Sequence, residues 1–304
     1  MLVEHLINGH GAYPSLGAAS SDIHLLLSDP DCFLFDLEDF AARGGIVQLK
    51  TKEGKLYGRE KEVTLITDAV CRVSAGKNEA IFIGGYSGSG KTMLVKSLTA
   101  RVDVSGGYVL TQKVDQMTKD RPLLRVLSAF NKLCLLIKEK SSPDKLLEIS
   151  NMLMHDFESD FSVLVRLLPD SQFLLPQLQS KHARRSSTGQ EVMNLHNVSF
   201  TLQRFLRIVS SKITPVMLFL DDLQWAGSTT LELVEALLTD TRGSSCFFFV
   251  GSYRDNEVTQ SHPIFKLMSS LESSGVESTK IQLSGLGQDD LNLRISESLC
   301  TLPH

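Results

Sequence analysis

With 304 residues the chain can bury a full core and is long enough for one large domain or two modest ones. Its 42% apolar and 22% charged residues are ordinary for a soluble protein, and a formal net charge of -4 argues against a dedicated nucleic-acid module, which is usually basic. No segment approaches the run of about 18 apolar residues a membrane span requires, and Met1-Leu2-Val3-Glu4-His5 lacks the basic start and apolar core of a signal peptide, so an intracellular, cytoplasmic location is the default expectation.

Residues 1–55 carry little pattern: Gly9, Gly11, Pro14 and Gly17 break the opening, a short helix fits Ser21–Leu27, and Phe33-Leu34-Phe35 and Ile46–Leu49 fit edge strands. This region reads as a linker or the remnant of a preceding domain. From Leu56 the pattern sharpens. Gly58-Arg59-Glu60 opens a helix whose apolar stripe is Val63, Leu65, Ile66, Ala69 and Val70. A buried strand follows at 80–84, a helix at 91–101 and a strand at Tyr108-Val109-Leu110. Helices are expected over 121–138, 144–168 and 191–211, with a polar exposed loop at 178–190. Arg184-Arg185-Ser186-Ser187 in that loop fits a basophilic kinase site, although a solvated basic loop is the plainer reading.

Pro215–Leu220 reads as a fully buried strand ending in Asp221-Asp222, followed by a helix over 228–239. A further buried strand spans 246–252, a helix 263–272, a strand 280–283 and a last helix 288–299. Alternating strands and helices predict an α/β fold with a mostly parallel sheet covered on both faces. Five scattered cysteines (Cys32, Cys71, Cys134, Cys246, Cys300) without C-x-x-C spacing read as reduced thiols, and the eight histidines show no zinc-binding spacing.

Gly85-Tyr86-Ser87-Gly88-Ser89-Gly90-Lys91-Thr92 spells G-x-x-x-x-G-K-[ST] between a strand and a helix. Glycines let the backbone curl so that successive N–H groups face phosphate oxygens at a helix N-terminus. Gly85, Ser87, Gly88, Ser89 and Gly90 form the cradle, Lys91 reaches the β- and γ-phosphates, and Thr92 offers its hydroxyl to Mg²⁺. Met93 stands where a G-x-G-x-x-G turn needs glycine, and Ser89 where a nucleophile elbow needs one, so neither a dinucleotide turn nor a serine hydrolase is supported. The Asp pair supplies the next part of such a site: Asp221 to hold Mg²⁺ and Asp222 to position the attacking water, where a lone Asp-Asp would read as a turn or cap. Arg254, at the end of the 246–252 strand, either neutralises charge on the γ-phosphate or is a surface residue paired with Asp255 or Glu257.

Several strings then occur in one order: Leu56–Glu62, the glycine loop, Leu167-Leu168-Pro169, Leu218–Ala226, Gly251–Glu257 and His262-Pro263. Together, over about residues 56–299, they resemble the origin-recognition-complex-like AAA ATPase domain of the STAND class, the signal-transduction ATPases with numerous domains. The resemblance implies a P-loop NTPase of the AAA+/ASCE type, with a helical insertion between the second strand and the Walker B strand. It places Gly58 and Arg59 near adenine and ribose, Asp221 and Asp222 as the Walker B pair, and Arg254 as the sensor arginine. Gly227 stands where relatives often have aspartate, and Gln112-Lys113-Val114-Asp115 where they often have Gly-Lys-Phe-Asp. The chain stops at His304, before the lid, winged helix and repeats usual in that class, which fits a fragment or a truncated product.

The implied activity is Mg²⁺-dependent ATP binding with slow hydrolysis, acting as a switch in a larger signalling protein fused to kinase, cyclase or histidine-kinase modules. A nucleotide-dependent oligomer is compatible with it. The alternatives are a nucleotide-binding scaffold with little hydrolysis and an origin-recognition-type DNA-associated ATPase; small-substrate kinases rank last. ATP is the default nucleotide because the base-reading N-K-x-D motif of G proteins is absent.

Overall fold

A computed structural model describes residues 16–28, 55–116, 123–158, 160–175, 194–242 and 245–299. The expected edge strands at 33–35 and 46–49, the 178–190 loop with Arg184–Ser187, and Cys32 and Cys300 lie outside these residues. Two compact units are present: Lys61–Ser284, and Met1–Glu60 taken together with Gly285–His304.

The larger unit is built on five parallel strands, β1 (Glu79–Gly85), β2 (Tyr108–Lys113), β3 (Val216–Asp221), β4 (Phe247–Tyr253) and β5 (Glu277–Leu283), in the order β2-β3-β4-β1-β5. Numbering α1 (Leu16–Ser28) as the first helix, the larger unit carries α2 (Glu60–Ser74), α3 (Lys91–Val104), α4 (Leu124–Lys140), α5 (Pro143–Asp156), α6 (Phe161–Leu167), α7 (Leu195–Val209), α8 (Ser228–Leu238) and α9 (Pro263–Ser273). Helices α4 to α7 form the expected insertion between β2 and β3.

The central strands β1 and β4 are buried along their whole length, and β3 up to its last residue. Side chains alternate across a sheet, and the burial follows that alternation. Ala80 and Phe82, Leu218 and Leu220, and Phe247 and Phe249 join one apolar cluster with α4 to α9. Ile81, Ile83, Met217, Phe219, Phe248 and Val250 are buried on the other face, where α3 packs against β1 and β2; Ile66, Ala69 and Val73 of α2 are buried as well. The Phe82 and Phe249 rings meet edge-on with centroids 5.8 Å apart. At the opposite end from the glycine loop, Glu79 is fully buried yet satisfied: Arg72 donates from Nε at 2.7 Å and from its terminal nitrogen, and Thr279 donates at 3.3 Å. A buried carboxylate is tolerated because it is paired and fully hydrogen-bonded.

One expectation is corrected. The helix predicted over 144–168 is two helices, α5 ending at Asp156 and α6 starting at Phe161. The sequence there has no Gly or Pro to mark a break. The cause is tertiary. Arg204 of α7 donates to the main-chain oxygen of Asp156, to the Asp156 carboxylate at 2.9 Å and to the Asp160 carboxylate at 2.8 Å, while its guanidinium stacks 4.2 Å from the Phe157 ring. It thus captures an orphan carbonyl of the α5 terminus. Other boundaries shift by a few residues, and β2 runs on to Lys113 rather than ending at Leu110. Trp225 is half-buried and packs against the main apolar cluster.

In the smaller unit, α10 (Gln288–Leu299) carries the buried Glu297, which accepts from the Tyr57 hydroxyl at 2.9 Å and pairs with Lys55. Burial, then the bond to Glu297, push the Tyr57 phenol up to about 12. Gly58 sits at φ 60°, where a β-carbon would run into the Asp290 carboxylate.

Truncating Phe249→Ala removes a fully buried ring from the cluster and should cost about 3–5 kcal/mol in urea denaturation. Cys71 is exposed, whereas Cys134 and Cys246 are buried with their thiols pushed up by burial. In native protein, iodoacetamide followed by peptide mass mapping should modify Cys71 at least about 10-fold faster than Cys134 or Cys246.

Candidate functional site

Parallel register places one set of strand ends together. Gly84 of β1 pairs with Tyr253 of β4, Leu220 of β3 with Gly251 of β4, and Asp221 with Lys113 of β2. The glycine loop, the Asp pair, Arg254 and Lys113 therefore share the C-terminal edge of the sheet, where ligands of open α/β sheets bind.

The loop after β1 needs its glycines for two different reasons. Gly88 (φ 81°) and Gly90 (φ 95°) have open space where a β-carbon would go, so only the left-handed backbone demands glycine. A β-carbon on Gly85 would approach Ser89 Oγ at 2.7 Å and the Leu283 carbonyl at 2.8 Å, so there the packing forbids one. Gly90 is the N-cap of α3, and that helix end has neither a side-chain cap nor an acidic residue in its first turn. Lys91 folds back over the loop and donates to the carbonyls of Gly85 at 2.7 Å and Tyr86 at 2.8 Å. Tyr86, Ser87, Gly88 and Thr92 are exposed, and Ser89, Gly90 and Lys91 half-buried. An uncapped helix N-terminus, an open glycine turn and a cation fit a phosphate group.

Asp221 ends β3. Its Oδ1 accepts from Ser252 Oγ of β4 and from the Asp222 amide at 3.1 Å. Asp222 is buried and adopts φ 60°, ψ 48°, the only left-handed non-glycine among the described residues. Its Oδ1 accepts from Gln224 Nε2 at 3.0 Å and lies 3.5 Å from Arg254 Nε, and its Oδ2 is 3.1 Å from Lys113 Nζ. Burial pushes the Asp222 carboxyl up, but Gln224, Lys113 and Arg254 outweigh it and hold the group below the usual carboxylate range. Lys113 is raised in turn by its bond to Asp222. Desolvation, then the charge of Arg254, lower Lys91, while Asp221, Asp255 and Asp222 oppose the shift; the cation of the loop thus shares one electrostatic environment with all of them.

Lys91, Asp221, Asp222 and Arg254 thus lie together at one edge of the sheet. Arg254 also makes the contact of the surface reading, donating to Glu257 at 2.8 Å. Gly58 and Arg59 belong to the smaller unit, Arg59 being buried there. Among the described residues no group of three or more His, Cys, Asp or Glu could hold a metal. A cation held by Thr92 and Asp221 would complete its shell with phosphate and water oxygens, as Mg²⁺ does. Four contributors were missed: Lys113, Gln224, Ser252 and His262. Lys113 was within reach, because extending β2 by three residues pairs it with Asp221.

A hybrid signal transduction histidine kinase, kinase G of Dictyostelium discoideum, is 29% identical over 184 residues, which cover 60% of this chain and 5% of that protein. The chain thus matches only a small part of that relative. Among solved structures, Drosophila ORC bound to DNA is similar at TM-score 0.37 and 11% identity, covering 76% of this chain and 95% of that one. C. elegans PCH-2 is similar at TM-score 0.35 and 9% identity, covering 79% and 47%. The family model of the AAA ATPase domain matches residues 55–250, which takes in both the strand before the glycine loop and the strand that ends in the Asp pair. The chain belongs to the AAA ATPase domain family.

Proposed function

We propose that this chain binds ATP with Mg²⁺ and hydrolyses it slowly, as the nucleotide-controlled switch of a larger signalling protein of the STAND type. The observation that carries the reading is the position of Arg254, held between Asp222 Oδ1 at 3.5 Å and Glu257 at 2.8 Å at the edge that holds the glycine loop. A γ-phosphate in the loop competes for that guanidinium, so the same residue reports the phosphate and loosens its grip on Asp222. Lys91 exchanges its two carbonyl acceptors for phosphate oxygens, and Asp222 orients the attacking water. Thr92 and Asp221 hold Mg²⁺, which supplies Lewis-acid charge at the phosphate oxygens. Asp221 is steadied for this by Ser252. The similarity to a hybrid signal transduction histidine kinase supports the signalling context and fused signalling partners.

A second reading, a nucleotide-binding scaffold with little turnover, is favoured by one feature. Asp222 is surrounded by two cations and an amide donor, which weakens it as a base. Labelled ATP and GTP with Mg²⁺, followed by phosphate release, separate the two. Lys91→Ala should lose at least about 10-fold in ATP affinity, since it deletes a charge-assisted contact. Asp222→Asn should keep ATP binding and lose about 100-fold or more in phosphate release. Binding without release by the unaltered chain would select the scaffold.

A further inference from the structure

Gln224 lies in the short 3₁₀ turn Leu223–Trp225 directly after the Asp pair, and it is buried. All of its polar groups but the main-chain N–H have a partner on another part of the site. The side-chain Nε2 donates to Asp222 Oδ1 at 3.0 Å, and Oε1 accepts from the Arg254 main-chain N–H at 3.3 Å. The main-chain carbonyl accepts from His262 Nε2 at 3.2 Å. His262 is the N-cap of α9 and its Nδ1 accepts from the Ile264 amide at 3.3 Å, so the ring proton sits on Nε2. The amide orientation of Gln224 is fixed by the same partners: exchanging its oxygen and nitrogen would set an oxygen against a carboxylate and an NH₂ against an N–H.

The turn itself is held from below. Gly251 of β4 has no side chain, and Leu223 crowds the space a β-carbon would take, its Cδ1 lying 2.2 Å from where that atom would sit. Trp225 N–H closes the turn onto the Asp222 carbonyl at 3.1 Å. Asp222 is thereby kept in its left-handed conformation with its carboxylate aimed at the Gln224 amide. A residue that only satisfied a buried donor would need one partner. Gln224 joins the end of β3 to the end of β4.

We propose that Gln224 is a positioning residue that ties the Asp222 carboxylate to the Arg254 main chain, so that a displacement of one is passed to the other. The catalytic consequence rests on the ATPase reading above; the tie itself does not. Gln224 thereby lets the state of the arginine, engaged by phosphate or by Asp222 and Glu257, set the orientation of the group that holds water.

The test uses the full chain with Gln224→Met, which keeps the side chain's length and burial without hydrogen bonds, and Gln224→Glu, which keeps the acceptor for Arg254 and removes the donor to Asp222. Hydrogen exchange of the Arg254 amide is read without nucleotide. It should accelerate about 10-fold or more in the Met variant and stay protected in the Glu variant. Single-turnover ATP hydrolysis should fall about 10-fold or more in both, with ATP affinity within about threefold of the unaltered chain. In the Asp222→Asn background, Gln224→Met should change the rate by less than about twofold, because the carboxylate that Gln224 positions is no longer there. An unchanged Arg254 amide in a folded Met variant overturns the tie; an equal loss of rate with and without the Asp222 carboxylate overturns the positioning role. If the Met variant does not fold, loss of hydrolysis with a protected Arg254 amide in the Glu variant supports the proposal, and full hydrolysis there overturns it. If the unaltered chain binds no ATP, the ATPase reading fails, and the amide exchange still decides the tie.

Discussion

Strand β4 between β1 and β3 is the constraint on which the site depends. Parallel pairing with each neighbour sets β4 in register with the strand that feeds the glycine loop and with the strand that ends in the Asp pair. Because the three central strands are apolar on both faces and enclosed by helices, a slip of one residue would turn every buried side chain toward the wrong layer. The register is therefore stiff, and the strand ends inherit that stiffness. Ser252 and Arg254 reach the Asp pair from β4, and Gly251 leaves room for Leu223.

The same edge concentrates charge of both signs. Asp222 is buried, which alone disfavours its ionised form. It stays ionised because Gln224, Lys113 and Arg254 converge on it, and the left-handed turn is the geometry that lets them. A strained residue at such a place is stable only when its surroundings over-determine it. Here the surroundings come from four segments: the end of β2, the turn after β3, the end of β4 and the cap of α9. The glycine loop, by contrast, takes its turn from its own left-handed glycines Gly88 and Gly90, with α3 supplying its positive end.

Much of this was legible beforehand. The loop motif, the apolar runs of β1, β3 and β4, and the helical spacing of α4 and α7 are local patterns with one physical meaning each. The two-part α5–α6 segment was not, since Phe157-Glu158-Ser159-Asp160 carries no breaker and the break is held by Arg204, more than forty residues further along the chain. Lys113 was missed because β2 is an edge strand whose second half is exposed, so its alternation fades where the site begins.

By itself, then, the sequence determined the α/β alternation, the phosphate-fitting loop Gly85–Thr92 and the placement of Asp221-Asp222 at the end of a buried strand, because glycine backbone freedom and apolar periodicity act within a few residues of the chain. Tertiary structure alone decided the strand order, the left-handed turn at Asp222 and the partners gathered on it, since those depend on which strand ends meet across the sheet. Gln224 shows the division most plainly: its place in Asp-Asp-Leu-Gln-Trp-Ala is visible in the string, but only the meeting of β3, β4 and α9 gives its amide and its carbonyl their three partners.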